Sequence, residues 1–573
     1  MKYRWQLAPE QALAAAAWAA RLGISNLLAQ CLLNRGVADE GRARLFLEPR
    51  LKQLADPVLL PDMDRAVARL VRARESGETL VVFGDYDVDG VTSSVILLEG
   101  LRGLGWRVEC YLPHRLEEGY GLSREAVLNC RQKFATRLLL AVDCGSTATA
   151  VITELLAEGV EVIVLDHHQI AQPPPPAAAL VNPRAAGAGA AFTELSAAGL
   201  AFKLIHAVVK HGRAAGWPAA AAWDVRGALD LAALGTVADL VPLTGENRIL
   251  VTAGLERLAV TTRAGLRALL AVADVAPPIG VYEVGFQLAP RLNAAGRLET
   301  ATAALDLLLA AGPAAAGPVA AQLDAWNRER QRIERAIADE VMVVVRAKFD
   351  PARDWVIVEG SPDWHVGVVG IVASRVLQEF HRPALIIGRE GAEWRGSGRS
   401  IPGFDLAAGL RACGDLLTRH GGHALAAGLS MVEDHVAELR GRLNGLARTA
   451  LPNAADWQPE LRLDAVADLR ELDLARVVEL DRLQPTGPGN PPPHLLVRGV
   501  TQARPLLRMG AEKQHVKLWV TDGAVTHEAV WWRAGGAEAL PVGRFDLACA
   551  PQINDYNNRQ TVQLKVLDWR PAE

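Results

Sequence analysis

Phe83–Ser94 reads FGDYDVDGVTSS and sets three aspartates, Asp85, Asp87 and Asp89, at every second position. The residues just before it, TLVV, form an apolar, β-branched run. Such a run bounded by glycine reads as a buried strand. Three like charges therefore gather where a strand ends. Carboxylates crowded in this way raise one another's pKa unless a cation neutralises them.

The pattern repeats downstream. From about residue 56 to 260, the apolar runs TLVVFG, RVECYL, LLLAVD and VEVIVLD alternate with segments of helical length. That alternation predicts a parallel sheet covered by helices, with functional groups beyond the carboxyl ends of its strands. LLLAVDCGST ends on Asp143, VEVIVLDHHQ on Asp166, His167 and His168, and LAALGTVADLVP, read as a further strand end, supplies Asp239. One such aspartate alone is commonly a helix N-cap, and a lone histidine pair is commonly structural. Acidic ends on several strands of one sheet argue against that reading for the set. Carboxylates with imidazole suit Mn²⁺ or Mg²⁺, and the lack of thiolate ligands disfavours structural zinc. Several bridging aspartates would hold two ions, which together can stabilise the attacking and leaving oxygens of a phosphoester.

The rest of the chain bounds this reading. At 573 residues it is too long for one core and is expected to hold three or four domains. A net charge of −4 excludes a uniformly basic nucleic-acid binder but not a local basic groove. The six cysteines show no paired spacing and read as free thiols in a reducing compartment. The start MKYRWQLAPE has no apolar signal core, so the expectation is a cytosolic protein. Residues 1 to about 55 read as helical, and QPPPPAAALVNPRAAGAGAA reads as a loop. LDAWNRERQRIERAIADEVMVVV spaces Leu323, Trp326, Ile333, Ile337 and Val341 as one face of a long helix. A second α/β region opens near Trp355, and short alternating strands fill roughly the last 80 residues, the pattern of a small antiparallel barrel.

Taken in order, DYDVDG, AVDCGS, VLDHH and GTVADLVPL resemble the four motifs of the DHH phosphoesterase superfamily. The resemblance runs over nearly the whole chain and is nearest to the superfamily's single-strand DNA exonucleases. It implies an α/β fold: a parallel-sheet DHH domain, a long connecting helix, an α/β DHHA1 domain and a C-terminal, OB-like antiparallel β-barrel. The bounds expected are 1–55 for the N-terminal helical region, 56–260 for DHH, 261–349 for the helical connector, 350–450 for DHHA1 and 451–573 for the OB-like domain. The resemblance implies Asp87, Asp89, Asp143, His167 and Asp239 as ligands of two Mn²⁺ or Mg²⁺ ions. Asp85 would ligate or support the ligands, Asp166 would orient an imidazole, and His168 would face the scissile phosphate. Many relatives start the first motif with a histidine, where this chain has Phe83 and Asp85.

Other segments offer groups for a substrate. GRSIPGFDL and RHGGHALAAGLSM present Ser397, Arg399 and Ser400, and Gly421, Gly422 and His423. The glycines permit close approach to an anion, and the side chains can donate to phosphate; the alternative is a tight turn before a helix. DWHVGVVGIVASR offers Ser374 and Arg375, while Gly367 and Gly370 there could serve helix packing. FQLAPRLNAAGRLE groups Arg291, Asn293 and Arg297, with Arg291 or Arg297 expected on a phosphate and a surface salt bridge as the alternative. HRLEEGYGLS carries Tyr120, which stacks or packs. In the OB-like region Trp519, Trp531, Trp532 and Tyr556 lie among Lys513, Lys517, Arg533 and Arg559, and OB-folds track single strands through basic grooves and stacking.

The resemblance implies a single-stranded-DNA-specific exonuclease that degrades DNA 5′→3′ to mononucleotides in recombination and repair. It would be a monomer in the bacterial cytoplasm, associated with the nucleoid and not with a membrane. Its partners would be single-stranded DNA with a 5′ end, single-strand binding protein and a RecQ-type helicase. Two other readings stand beside it. A small-substrate DHH phosphodiesterase, acting on oligoribonucleotides or cyclic dinucleotides, is usually shorter and lacks the OB-like region. A noncatalytic scaffold tends to lose metal ligands, whereas every candidate carboxylate is present here.

Overall fold

The structure is a computed structural model that describes residues 3–572 except 116, 188–191, 193, 433, 535–542 and 557–558; the side chains of Ala454 and Tyr556 also lie outside the described residues. The chain divides into two compact units. One comprises residues 1–48, 337–484 and 491–573, and the other residues 49–336 and 485–490. Among the described residues no single helix is long and apolar enough to cross a membrane.

The chain opens with a short strand, β1 (Arg4–Leu7), and then helices Ala12–Leu22, Asn26–Asn34 and Glu40–Leu47. The strand was not expected. It pairs in parallel with residues 460–463, a partner that no local pattern could reveal.

The unit of residues 49–336 is built on five strands: β2 (Thr79–Gly84), β3 (Arg107–Tyr111), β4 (Leu138–Val142), β5 (Glu161–Leu165) and β6 (Ala179–Val181). All pair in parallel, in the order β3-β2-β4-β5-β6. The central strands are buried on both faces, which explains why they read as continuous apolar runs rather than alternating ones. β6 corrects the sequence expectation, since it lies inside the Pro/Ala-rich stretch read as a loop. A second correction concerns Asp239. LAALGTVADLVP is no strand; Leu229–Ala238 is a buried helix and Asp239 is its C-cap. A short apolar run does not distinguish a buried helix from a strand.

The strand order has a direct consequence. From β2 the chain crosses to β3 on one side, then returns to β4 on the other. The carboxyl ends of β2 and β4 therefore flank a topological switch point, where open α/β sheets leave a crevice. Asp85 and Asp143 follow immediately on those two strands.

In the other unit, β7 (Ile357–Gly360), β8 (Ala384–Glu390), β9 (Glu393–Arg399), β10 (Arg419–His423) and β11 (Ala426–Met431) form a sheet of order β10-β11-β9-β8-β7. Helix Val369–Phe380 crosses between β7 and β8, which are parallel. After β12 (Glu460–Leu463) come β13 (Ala465–Val466), β14 (Leu495–Met509), β15 (His515–Thr521), β16 (Thr526–Trp531), β17 (Phe545–Tyr556) and β18 (Arg559–Pro571). Their pairings run β14-β15-β16-β18-β17, and β17 also pairs back to β14. This sheet is mixed rather than purely antiparallel, because β16–β18 and β13–β14 are parallel pairs. The expected long helix is present as Pro313–Lys348.

Candidate metal centre and phosphate-binding face

Each acidic residue is fixed by the end of an element. Asp87 caps helix Val88–Gly103 by accepting from the backbone N–H groups of Asp89 (2.9 Å) and Gly90 (3.1 Å). Gly90 is required there, because a Cβ would lie 2.5 Å from the Asp85 carbonyl oxygen. Asp89, in the first helical turn, accepts from Ala197 N (2.7 Å) and Ala198 N (2.9 Å), the start of another helix. A helix N-terminus carries partial positive charge and suits a carboxylate. Asp143 sits just past β4 in the left-handed region (φ 63°). A non-glycine residue held so is strained, and such strain gathers at functional sites.

These residues and the histidines form three overlapping clusters whose ligand atoms lie within 4.8 Å of one another: Asp85, Asp87 and Asp143; Asp89, His167 and Asp239; and Asp143, His167 and His168. His167 Nε2 lies 3.3 Å from Asp143 Oδ1 and 3.5 Å from Asp239 Oδ2. Asp85 Oδ1, Asp143 Oδ1 and His167 Nε2 are buried without a hydrogen-bond partner. Buried polar atoms are nearly always satisfied, so these orphans, spread over the overlapping clusters, fit a centre that holds cations. Hard oxygen donors with imidazole fit Mn²⁺ or Mg²⁺.

The electrostatics agree. Burial, then the neighbouring aspartates, push Asp85 and Asp143 well above the usual carboxylate range. The same causes push Asp89 up to about 7 and Asp239 up to about 9. Burial and the adjacent His168 bring His167 down to about 4, so its imidazole is neutral and able to ligate near pH 7. Asp166 differs: burial raises it, but hydrogen bonding to His168 and the charge of both histidines win, holding it far below the usual range. Its Oδ1 lies 2.8 Å from His168 Nδ1 and also accepts from His167 N (2.8 Å). The imidazole it orients is therefore that of His168. Burial lowers His168, but that hydrogen bond and the charges of Asp166, Asp85 and Asp87 together outweigh it and raise His168 above the ordinary histidine value.

Several supporting residues were missed in the sequence. Asn182, fully buried, donates to Ser146 Oγ (2.8 Å) and His168 O (2.9 Å), and Arg184 Nε donates to His167 O (2.8 Å). Both lie in the stretch read as a loop; the asparagine just past an apolar triplet was the available signal. Arg115 lies 5.0 Å over the Tyr86 ring. Tyr120, left open as stacking or packing, donates its hydroxyl to Asp143 O (3.1 Å) and approaches His168 Nε2 at 3.3 Å.

Of the Arg291, Asn293 and Arg297 group, Arg291 follows the salt-bridge alternative. Its Nε donates to Asp324 Oδ1 (2.9 Å) and its Nη1 to Gln287 O (2.6 Å). Asn293 and Arg297 are half-buried on the same helix, Ala289–Leu298, whose Gly296 lies close against the Tyr86 carbonyl.

The other unit presents a second face. Register places Ser397 beside Gly428 and Gly428 beside Gly421, and in the next row Arg399 beside Ala426 and Ala426 beside His423. The motif is thus an exposed edge strand with a hairpin, not a turn before a helix. At Gly422 (φ 133°) a Cβ would lie 2.5 Å from Ala426 O, so the hairpin requires glycine; above Gly421 the space is open. Arg399 Nη1 donates to Ser397 Oγ (3.3 Å), and Gly370 packs against both residues. Ser374 Oγ bonds back to Gly370 O (3.1 Å) and Arg375 is exposed on the same helix. Ser400 turns inward to Phe404 O, away from this face.

In the C-terminal sheet Arg504 lies 3.6 Å over Trp519, and Trp532 is exposed beside His515. Trp531 packs against the core, and Lys517 pairs with Glu528 (2.9 Å).

Known proteins share this architecture. Residues 79–236 match the DHH family N-terminal domain, 354–449 the DHHA1 domain and 463–568 the RecJ OB domain. The single-stranded-DNA-specific exonuclease RecJ of Bacillus subtilis is 35% identical over 100% of this chain and 71% of its own length. The crystal structure of Thermus thermophilus RecJ in complex with Mn²⁺ matches with a TM-score of 0.84 at 32% identity, covering 100% of this chain and 80% of that one. The Mg²⁺ complex from the same organism matches at 0.78 and 29%, covering 100% and 79%. With the DHH, DHHA1 and OB domains in sequence and this likeness along the whole chain, the chain belongs to the RecJ family of the DHH superfamily.

Proposed function

We propose that the protein is a metal-dependent exonuclease specific for single-stranded DNA, working 5′→3′ and releasing mononucleotides. The observation that carries this reading is the set of orphaned buried atoms, Asp85 Oδ1, Asp143 Oδ1 and His167 Nε2, in overlapping carboxylate and histidine clusters. Asp85, Asp87 and Asp143 would hold one Mn²⁺ or Mg²⁺ ion, and Asp89, His167 and Asp239 the other. When bound, such ions supply Lewis acidity toward a phosphoryl oxygen and lower the pKa of water.

The chain's own residues do the rest. Asp166 fixes the His168 ring through Nδ1, which turns Nε2 toward incoming substrate as a donor to a phosphate oxygen. Tyr120 braces that ring and the Asp143 backbone together. In the other unit, Ser397, Arg399 and His423, over an open Gly421, would hold a terminal phosphate, with Ser374 and Arg375 beside them. Donors to a charged phosphate give the stronger class of hydrogen bond. In the unit of the metal centre, Arg297 and Asn293 would offer donors to a phosphate. Work in recombination and repair, alongside single-strand binding protein and a RecQ-type helicase in the bacterial nucleoid, fits this activity.

The test is digestion of end-labelled DNA with Mn²⁺, comparing a 5′-phosphorylated single strand, its blunt duplex and a strand blocked at the 5′ end. Mononucleotides released from the open single strand alone are expected. Equal digestion of the duplex or the blocked strand would overturn the polarity and strand specificity.

A further inference from the structure

Phe286 is the most exposed Phe, Tyr or Trp among the described residues, at 70%, and Tyr282 follows at 61%. The two are neighbours: their rings stack with centroids 5.1 Å apart and planes 28° from parallel. Two large rings left in water forgo the gain of burial, and a joined apolar patch on the surface marks a binding site more than single exposed side chains do. Tyr282 caps and Phe286 belongs to a π-helix, Glu283–Leu288, a rare form that recurs at functional sites.

The position of the patch says what it is for. The π-helix runs straight into helix Ala289–Leu298, and two glycines seat this segment beside the metal centre. Gly285 faces Val237 Cγ1, which lies 3.9 Å from where a Cβ would stand and two residues before Asp239. Gly296 lies against the carbonyl of Tyr86, between Asp85 and Asp87. Val284, Leu288, Leu292 and Ala295 are buried, which leaves Tyr282, Phe286, Asn293 and Arg297 on the solvent side. One ridge thus carries two stacked rings and then an amide and a guanidinium. Glu283, the carboxylate between the rings, turns back to accept from Gly280 N (2.8 Å). A flat apolar face next to donors for an anion matches the two halves of a nucleotide, and every base offers a π-face to an aromatic ring.

We infer that Tyr282 and Phe286 are a stacking platform for an unpaired base of the DNA strand, with Asn293 and Arg297 on its phosphate backbone. The inference rests on the reading that single-stranded DNA is the substrate, and it names residues that favour an unpaired strand. An internal base pair already has both faces covered by its neighbours in the duplex, so it gains nothing from the platform.

The test is fluorescence anisotropy of a short labelled oligothymidylate, and of an abasic strand of the same length, on the full chain in chelator, which stops cleavage and reads binding alone. Phe286→Ala should weaken the oligothymidylate roughly tenfold and leave the abasic strand unchanged, the coupling that stacking requires. Phe286→Trp should keep wild-type affinity for both. Tyr282→Ala should follow Phe286→Ala, and Tyr282→Phe should bind as wild type does. Both side chains are exposed, and circular dichroism checks that the variants fold. Equal affinity of wild type and Phe286→Ala for the oligothymidylate would overturn the platform and leave the rings as a surface for a protein partner. An equal loss on both strands would overturn stacking as the role of the rings. Mononucleotide release with Mn²⁺, assayed on the same preparation, tests the exonuclease reading separately.

Discussion

The DHH sheet and the DHHA1 sheet solve opposite problems. At the switch point of the first, carboxylates are buried, crowded and short of hydrogen-bond donors. On the edge of the second, glycines and donors line an exposed strand with no carboxylate in its rows. One arrangement is costly until a cation arrives, and the other is open to an anion. The difference teaches where charge belongs: the buried cluster suits a cation, and the exposed face suits an anion.

The contrast breaks first at Asp143. Asp143→Ala should lower turnover by about 10³-fold or more, since a metal contributes several kcal/mol to the barrier. Circular dichroism should show the fold intact. Near-normal turnover would remove Asp143 from the centre. His168→Ala is next, with a loss of roughly 10²-fold in kcat, the scale of one donor to a developing charge. Stopped-flow cleavage of a short strand measures it.

A pH series sharpens the comparison from the stability side. Asp89 and Asp239 are pushed up to about 7 and about 9, by burial first and neighbouring aspartates second. An unfolded chain releases those protons near pH ~4. The metal-free fold then binds more protons than the unfolded chain between about pH 4 and 9, so its stability falls as pH rises through that window. Melting in chelator should show the fall, and Mn²⁺ should abolish it. A stability that rises with pH in chelator would contradict the crowding.

The smallest effect belongs to the exposed face. His423→Ala should raise KM roughly tenfold with kcat nearly unchanged, the worth of one charge-assisted hydrogen bond. A loss confined to kcat would move His423 from binding to chemistry.

How much of this was legible varied with distance along the chain. Aspartates at strand ends are local features, so Asp85, Asp87, Asp89, Asp143 and the two histidines stood out in the sequence. Asp239 was found although its element was misread, because a helix buried on all sides has no polar face to betray its period. β6 escaped because three residues inside a proline-rich stretch carry almost no pattern. Asn182 and Arg184 escaped with it, although they hold the histidine loop from behind. Arg291 follows the salt-bridge alternative, and its partner Asp324, 33 residues away, lies beyond any local pattern. β1 pairs with β12 across most of the chain, beyond any local signal.

The most direct measurement is a Mn²⁺ titration of the full chain, following free Mn²⁺ by electron paramagnetic resonance, for wild type and Asp143→Ala. Two ions bound per wild-type chain, with binding weakened at least tenfold in the variant, is the predicted result. A wild-type chain that binds no Mn²⁺, or an Asp143→Ala chain that binds it as tightly, would contradict the account.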